Sequence, residues 1–382
     1  MPEIAPLFPV SRRHLDALST EIGIMQHAQL AQPDPDHGYC TDDVARALLV
    51  DLLHQRELGW RAVAASAARN VRFLGEAYDP ASGRFRNLRR DDGAWLDVPG
   101  SEDADARALH ALAETIAAAP PGTVRETALA LFTRALPGAS QIPHLRPLAT
   151  LVLACDAAAG AGLRGEVAAI GQRAGHDLWQ LFEPGAAAED GEDGPRNATL
   201  WPWPEDVVTY ENELPARALI VGGLRLGRPR MVREGLRVLD WLIDAQTAPG
   251  GHLRTVGNDG WWPRGGPKAR FDQQAISTTS LLLAADTAFE ATGLARYGDA
   301  MEMAYGWFVG RNDAHAWVAE PSSGACGDGI GPAGVSRNQG AESTLMWLMA
   351  LEHTRAARRR ASRPVLVPRT TQAAREALAA VS

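Results

Sequence analysis

Three segments of the chain share one pattern, in which acidic residues are followed by Ala-Arg-Ala-Leu. They occupy residues 41–48, 101–109 and 210–219. Each segment is predicted to begin a helix, so its carboxylates lie in the first turn. Carboxylates held close together can act as acid and as base or nucleophile in the cleavage of a glycosidic bond. The repeated acids are therefore the first candidates for chemistry.

Other predicted helices also begin with acid. The candidate acids are Asp42, Asp43, Glu102, Asp103, Glu211, Glu213, Asp272 and Glu342. Any one of them can be explained as a helix cap or by the helix dipole, which favours acid in a first turn. Their common position in the helices favours a shared site instead. One further helix offers His144 and Arg146 at its start.

The spacing within the repeated motif separates the acids into two groups. The first group is predicted to form ion pairs with the arginine four residues later in the same helix: Asp42 with Arg46, Asp103 with Arg107, and Glu213 with Arg217. The second group is rotated away from those arginines and is free to meet a ligand: Asp43, Glu102 and Glu211.

Apolar residues recur at helical spacing along the chain and predict twelve helices in six pairs. The first members cover 11–31, 60–77, 121–135, 162–183, 229–247 and 295–311. The second members cover 41–54, 102–118, 146–159, 209–225, 272–292 and 338–356. The first members are amphipathic, whereas the second members are apolar on nearly every side and must be buried on every side.

Six buried helices alternating with six half-exposed ones predict an all-α fold, the (α/α)6 barrel, with an inner and an outer ring. An open solenoid is the alternative, but it would leave one face of every repeat in water. We expect a single barrel domain over 1–360 and a basic, partly helical C-terminal tail over 361–382.

The long connections are predicted to lie together at one end of the barrel. Residues 78–101, 184–208, 248–271 and 312–337 are rich in Gly, Pro, Asp and Trp. Loops on a rigid scaffold commonly carry binding groups. Carboxylates beside indole rings are typical of sugar sites, so this end is the predicted site.

The predicted site has catalytic and binding members. The catalytic candidates are Glu102 as proton donor, Asp43 or Glu342 as the opposing base or nucleophile, and Asp272 to position sugar hydroxyls. The predicted substrate-binding residues are Tyr39, Asp42, Trp95, Asp103, Trp203, Tyr210, Glu211, Trp261, Trp262, Gln273, Asn338 and Gln339. Packing under a loop is the alternative for the adjacent tryptophans.

Bulk properties exclude several other classes. The 382 residues carry a net charge of −8, which argues against a nucleic-acid partner. The three cysteines lack the spacing of a disulfide scaffold or a zinc site, and we expect no metal and no cofactor. Neither a signal peptide nor an 18-residue apolar run is visible, so we expect a cytoplasmic protein without a membrane span.

Longer motifs resemble a known family. They are Gly38-Tyr39-Cys40-Thr41-Asp42-Asp43, Gly100-Ser101-Glu102-Asp103, Gly260-Trp261-Trp262, Phe271-Asp272-Gln273-Gln274 and Asn338-Gln339-Gly340-Ala341-Glu342-Ser343-Thr344-Leu345. Together they resemble a poorly characterised bacterial family of six-hairpin barrels similar to glycoside hydrolases. Its members are often fused to, or encoded beside, group-1 glycosyltransferases and mannoside phosphorylases. The chain departs from this pattern at Val44, where the family has Asn.

Three functions follow from these observations. The first is a glycoside hydrolase, or a related carbohydrate-active enzyme, that acts on an oligosaccharide or glycan such as a β-linked mannoside or glucoside. The second is a sugar epimerase or isomerase, which usually employs a histidine pair, whereas only His144 lies near an inner helix start. The third is a non-catalytic glycan-binding barrel that partners a glycosyltransferase, as the resemblance suggests.

Overall fold

The computed structural model describes residues 4–97, 99–187 and 201–362. The α-helices in this part of the chain are α1 Arg13–Leu18, α2 Thr41–Leu58, α3 Trp60–Ala77, α4 Glu102–Ala118, α5 Thr123–Ala135, α6 Leu145–Gly160, α7 Glu166–Ala187, α8 Glu213–Leu226, α9 Pro229–Gln246, α10 Ala275–Thr292, α11 Ala295–Phe308 and α12 Ala341–Ala361. A 3₁₀ turn, Leu136–Ala139, follows α5.

The strands are two residues long and pair in antiparallel twos within the loops. They are β1 Ala28–Gln29, β2 Gln32–Pro33, β3 Tyr39–Cys40, β4 Tyr78–Asp79, β5 Arg84–Phe85, β6 Leu88–Arg89, β7 Val207–Val208, β8 Trp262–Pro263, β9 Ala319–Glu320, β10 Ala325–Cys326, β11 Ile330–Gly331 and β12 Gly334–Val335. The pairs are β1–β2, β3–β6, β4–β5, β7–β8, β9–β10 and β11–β12. These ribbons fix the loops against the helix ends.

The even-numbered helices form a closed inner ring. Each of α2, α4, α6, α8 and α10 packs against the next even-numbered helix, and α12 packs back against α2. The odd-numbered helices α3, α5, α7, α9 and α11 lie outside, each against the inner helix that precedes it. The predicted (α/α)6 barrel is therefore confirmed, and the six apolar helices are the inner ring.

The connections differ in length at the two ends of the barrel. A single residue, Gly59 with φ 80°, joins α2 to α3, and two residues join α8 to α9. The connections that enter inner helices are long, as between α3 and α4 or between α11 and α12. All inner helices thus begin at the elaborated end, which brings their first turns together.

The predicted first outer helix over 11–31 is wrong beyond its first part. Only α1 is helical, and it packs against α12 in the sixth outer position. The chain then turns to contact the inner ring, where a Cβ on Gly23 would lie 3.2 Å from both Phe73 and Val44. Leu30 has a φ of 54°, a conformation that a helix cannot contain.

Three inner helices begin later than predicted because a residue with positive φ or a bonded loop precedes them. Glu211 has φ 49° and Asp272 has φ 60°. Consequently α8 begins at Glu213 and α10 at Ala275, while α12 begins at Ala341. The acids of these segments therefore lie in or just before the first turn.

The last inner helix continues past the predicted limit of 356 and ends at Ala361. The predicted basic tail over 361–382 lies almost wholly outside the described residues. Within the described ranges, no helix combines the length and apolar character needed to cross a membrane.

Candidate active site

A cavity of about 420 Å³ opens at the end of the barrel where the inner helices begin. Its lining is polar and holds more carboxylates than cations. The lining residues are Gln26, His27, Cys40, Asp42, Asp43, Arg46, Asp103, Arg107, Tyr210, Gln274, Ile276, Asp328, Gly340, Glu342 and Ser343. A volume of this size lies in the range of small-molecule sites.

One arginine joins two inner helices at the floor of this cavity. Arg46 Nη1 of α2 lies 2.8 Å from Asp43 Oδ1 and 3.1 Å from Glu342 Oε2 of α12. The other oxygen of Asp43 accepts a bond from the Cys40 thiol at 3.2 Å. Asp43 is thus held on both oxygens, whereas 42% of the Glu342 side chain remains exposed in the cavity.

A second arginine joins three parts of the ring. Arg107 of α4 donates from Nη2 to Glu211 Oε2 at 2.5 Å, just before α8. Its Nε lies 3.8 Å from Asp42 Oδ1 of α2. Asn87 Nδ2 donates to the other oxygen of Asp42 at 3.2 Å. Arg107 therefore ties α2, α4 and the entry to α8 together beneath the cavity.

The predicted ion pairs within single helices are wrong. Arg46 contacts Asp43 rather than Asp42, Arg107 contacts Glu211 rather than Asp103, and Arg217 donates to Thr287 at 3.2 Å. Glu213 instead accepts a bond from Gln246 at 2.6 Å. Arg46 still pairs within its own helix, but with the acid three residues away. Because inner helices are surrounded by neighbours, Arg46 also reaches Glu342 of α12, and Arg107 reaches Glu211 before α8. Asp43 and Glu211, expected to be free, are the acids that the arginines hold.

Burial and the two arginines give the acids different proton affinities. Burial raises the pKa of Glu342 and of Asp42, and the nearby arginines only partly offset it. Burial also acts on Glu211, but Arg107 outweighs it and holds the pKa of Glu211 below its usual range. Burial raises the pKa of the Cys40 thiol, which stays protonated. The carboxyls in and beneath the cavity therefore have pKa values that are shifted in opposite directions.

An adjoining groove of about 510 Å³ shares Asp103 and Tyr210 with the cavity. Glu102 lies in this groove and not among the residues that line the cavity. Its Oε2 is 2.6 Å from Nδ1 of His144, whose side chain is 76% exposed. The predicted proton donor is thus engaged by a histidine beside the cavity, while Asp103 of the next position reaches the cavity itself.

Several predicted binding residues hold loops instead. Gln273 is fully buried, accepts a bond from Trp307 Nε1 at 3.0 Å and donates to Asp313 at 3.0 Å. Asp272 lines neither of the two spaces and accepts a bond from the Asn258 amide through its carbonyl. Gln274, which follows Gln273, is the residue of this motif whose side chain lines the cavity.

The segment before the sixth inner helix shows the same difference, since its predicted binding residues hold a loop and the residues after them line the cavity. Asn338 Oδ1 accepts from the Leu30 amide at 2.9 Å, and the carbonyl of Gln339 bonds His14 at 2.8 Å. These two residues fasten the loop before α12. The cavity is lined instead by Gly340, Glu342 and Ser343 from the end of the same motif.

Most of the predicted aromatic platforms pack against other side chains. Tyr39 is buried and bonds Thr20 and Asp91 through its hydroxyl. The tryptophans have these neighbours: Trp95 packs on Phe73, Trp203 on Phe182 and Trp262 on Trp241. Trp261 lies with its ring centre 6.3 Å from that of Tyr210. Tyr210 alone among these aromatics lines both the cavity and the groove.

The sequence pattern does not predict the whole lining. It predicts Arg46 and Arg107 only as intrahelical partners, although their recurrence in the motif indicates a shared function. Asp328 accepts from Ser343 Oγ at 2.7 Å and lies within a long loop, where nothing in the local pattern marked it. His27 lies in the segment that was predicted to be helical.

Neither a protein-family model nor a curated protein sequence matches this chain. Solved structures do resemble it. A sugar epimerase from a ruminal bacterium has a TM-score of 0.66 at 12% identity, over 88% of this chain and 94% of that chain. The cellobiose 2-epimerase from Bacillus thermoamylovorans has a TM-score of 0.66 at 12% identity, over 90% and 98%. A GH76 α-mannanase from Bacteroides thetaiotaomicron has 0.62 at 9% identity, over 92% and 96%.

These likenesses concern the fold. They extend over nearly the full length of each chain, while fewer than one residue in seven is identical. The architecture is that of a barrel which carries sugar chemistry in other proteins. At this identity the likenesses show the fold and not the reaction of this chain.

Proposed function

We propose that this chain is a carbohydrate-active enzyme, specifically a glycoside hydrolase that acts on an oligosaccharide. Glu342 is the proton donor and Asp43 is the opposing carboxylate. The observation that supports this assignment is the bridge through Arg46, which holds the two carboxylates side by side at the cavity floor. Paired carboxylates are the common machinery of glycoside cleavage.

The bridge limits the separation of the two carboxylates. Arg46 Nη1 lies 2.8 Å from Asp43 Oδ1 and 3.1 Å from Glu342 Oε2. The two bonded oxygens are therefore at most about 6 Å apart, which favours the retaining arrangement of carboxyl groups, at ~5–5.5 Å, over the inverting one, at ~6.5–9.5 Å. A retaining reaction follows from this proposal.

The electrostatics suit the two roles. Desolvation within the cavity raises the pKa of Glu342, which is the direction that a proton donor to a leaving oxygen requires. Asp43 Oδ1 accepts a bond from Arg46 Nη1 at 2.8 Å, which holds this carboxylate in place at the cavity. An ionised carboxylate is the form that can attack an anomeric carbon.

The proposed reaction has two steps. Glu342 donates its proton to the glycosidic oxygen while the bond from that oxygen to the anomeric carbon breaks. Asp43 supplies an electron pair to the same carbon and forms a glycosyl ester. A water molecule then attacks this carbon, returns one proton to Glu342, and releases Asp43 as a carboxylate. One water is consumed for each bond cleaved.

The lining favours a neutral sugar. Five carboxyl side chains face two arginines in the cavity, so an anionic sugar would meet repulsion. Carboxylate oxygens and the amides of Gln26 and Gln274 can bond sugar hydroxyls. Neutral oligosaccharides are therefore the first substrates to test, and the panel begins with β-linked manno- and gluco-oligosaccharides.

The proposal is tested with the purified chain and a panel of these oligosaccharides. We expect reducing ends to be released, and we expect Glu342→Gln to lower turnover by about 10²–10⁴-fold because it removes the acid. Glu126→Gln, at an exposed position on α5, is the matched control and should keep wild-type turnover. Wild-type activity in Glu342→Gln would remove Glu342 from the mechanism.

A sugar epimerase or isomerase is the second candidate. His27 lines the cavity, and its ring centre lies 4.6 Å from that of His37. A histidine pair of this kind can move a proton at a sugar carbon. Interconversion of two monosaccharide epimers without release of reducing ends would favour this candidate over the hydrolase.

The third candidate is a glycan-binding barrel without catalysis. Binding of oligosaccharides with neither cleavage nor epimerisation would support it. The family resemblance also suggests a functional link to a glycosyltransferase, and co-purification of such an enzyme with the chain would test that link separately.

A further inference from the structure

The groove that contains Glu102 adjoins the cavity. Asp103 and Tyr210 belong to both linings, and the Tyr210 hydroxyl donates to Asp103 Oδ2 at 3.5 Å, so the two spaces meet at this pair of side chains. The groove has about 510 Å³ of its own, slightly more than the cavity. A ligand longer than the cavity would reach the groove by extending over this pair.

The groove holds paired charges that are open to solvent. His144 is bonded to Glu102 at 2.6 Å and is 76% exposed. Glu205 is 40% exposed and lies 3.3 Å from Arg146 Nη1. Three carboxylates, two guanidiniums and one imidazole line this space, so its charges nearly cancel. Such a lining suits hydroxyl groups, which both donate and accept, better than a charged ligand.

Arg146 is built to hold the shared wall in place. Its side chain is 8% exposed, and Nε donates to the carbonyl of Tyr210 at 2.6 Å. Nη2 donates to Thr209 at 2.6 Å and to Asn212 at 2.9 Å. The guanidinium carbon lies 4.7 Å from the centre of the Tyr210 ring. Tyr210 is thus fixed between the two spaces.

We propose that the groove binds a second, uncharged sugar unit of the same substrate, with His144 and Glu205 as its hydrogen-bond partners and Tyr210 as the shared wall. The substrate is then at least a disaccharide that spans cavity and groove. This inference rests on the proposed function in so far as the ligand is a glycan. In it, Glu102 is a positioning residue that orients His144.

The test measures how affinity grows with chain length. Calorimetry uses the Glu342→Gln protein, so that substrates are not consumed, with mannose and glucose and their β-linked di- and trisaccharides. We expect affinity to rise from one unit to two. His144→Ala and Glu205→Gln are each combined with Glu342→Gln. Each should reduce the gain in affinity from one sugar unit to two by about fivefold, which corresponds to the loss of one hydrogen bond.

Controls separate a local effect from a loss of structure. His176→Ala, at an exposed position on α7, should leave the rise intact. Glu102→Gln keeps the shape of the side chain and replaces His144→Ala in the test if that variant does not fold. It weakens the bond to the His144 imidazole, so it should also reduce the gain in affinity from one sugar unit to two. The thermal melt of each variant verifies that it is folded.

The groove proposal and the hydrolase proposal can fail independently of each other. An affinity that does not change from one unit to two, or a full rise in both His144→Ala and Glu205→Gln, would overturn the groove proposal even if oligosaccharides are cleaved. A rise that depends on these residues would support it even if no reducing ends appear, in which case the hydrolase assignment fails and the binding assignment stands.

Discussion

Arg107 and Glu211 form an ion pair between parts of the ring that are not neighbours. Arg107 lies on α4 and Glu211 precedes α8, so the bond of 2.5 Å passes the position of α6. Each side chain is only 12% exposed. The pair lies beneath the cavity, where Arg107 also faces Asp42. It therefore couples the placement of the site to the closure of the barrel.

Removal of this arginine should destabilise the fold. Arg107→Met leaves Glu211 and Asp42 buried without their cation, and we expect the free energy of unfolding to fall by about 3 kcal/mol. Unfolding in urea, followed by circular dichroism, measures this. Arg107→Met combined with Glu211→Gln should recover part of the loss, because the second change removes the uncompensated charge. A double variant that is less stable than Arg107→Met would contradict this account.

The fold was predictable because its signals are local. A helix such as α10, most of whose residues are buried, shows this in its own sequence, since apolar and small residues surround its axis. The exception was the segment around Gly23, where apolar residues serve a loop packed on α2 and α3. Its conformation depends on contacts with residues distant in the sequence, which periodicity does not report.

The site was predictable only in outline. Acids at helix starts converge because every inner helix begins at the same end, and this follows from topology. Which acid meets which arginine depends on the rotation and spacing of separate helices, as Arg46 and Glu342 show. Tryptophans in the loops do not predict sugar-stacking surfaces here, because indoles such as Trp203 and Trp262 pack against other aromatic side chains.

Gln273 offers a direct comparison between the sequence prediction and the structure. Because it joins Trp307 to Asp313 inside the protein, Gln273→Ala should lower the free energy of unfolding by about 1–3 kcal/mol. The structure predicts no loss of a direct contact to sugar. Thermal unfolding and oligosaccharide affinity are measured together. A stable variant with much weaker sugar binding would restore the original assignment of Gln273.

Glu213 should make stability depend on pH. Burial raises its pKa from 4.5 to about 7, although Gln246 donates to it. Between these values the unfolded chain has released a proton that the folded chain retains, so stability falls as pH rises, by at most about 1.4 kcal/mol per unit. Glu213→Gln should therefore stabilise the protein at pH 8 more than at pH 5.

Melting temperatures across this pH range provide the measurement. Glu126→Gln, at its exposed position, is the matched control and should not alter the slope. An equal effect of Glu213→Gln at both pH values would show that this carboxyl is ionised in the folded protein throughout the range.

Asp43 should leave a chemical signature if it is the nucleophile. Asp43→Ala lacks the carboxylate that forms the glycosyl ester, so turnover should fall by a factor on the order of 10³. Azide can enter the space left beside Arg46 and attack the anomeric carbon directly. The product should be a glycosyl azide of inverted configuration, which proton NMR identifies.

The proton donor gives the opposite result and serves as the comparison. In Glu342→Ala the ester on Asp43 still forms with a good leaving group, and azide then displaces Asp43, so two inversions give a glycosyl azide of retained configuration. Wild-type enzyme should likewise release a sugar with the anomeric configuration of the substrate. An inverted wild-type product would show that Asp43 and Glu342 are not the reacting pair. Both carboxylates contact one Arg46 nitrogen. Two carboxylates this close leave no room for the water that an inverting reaction requires.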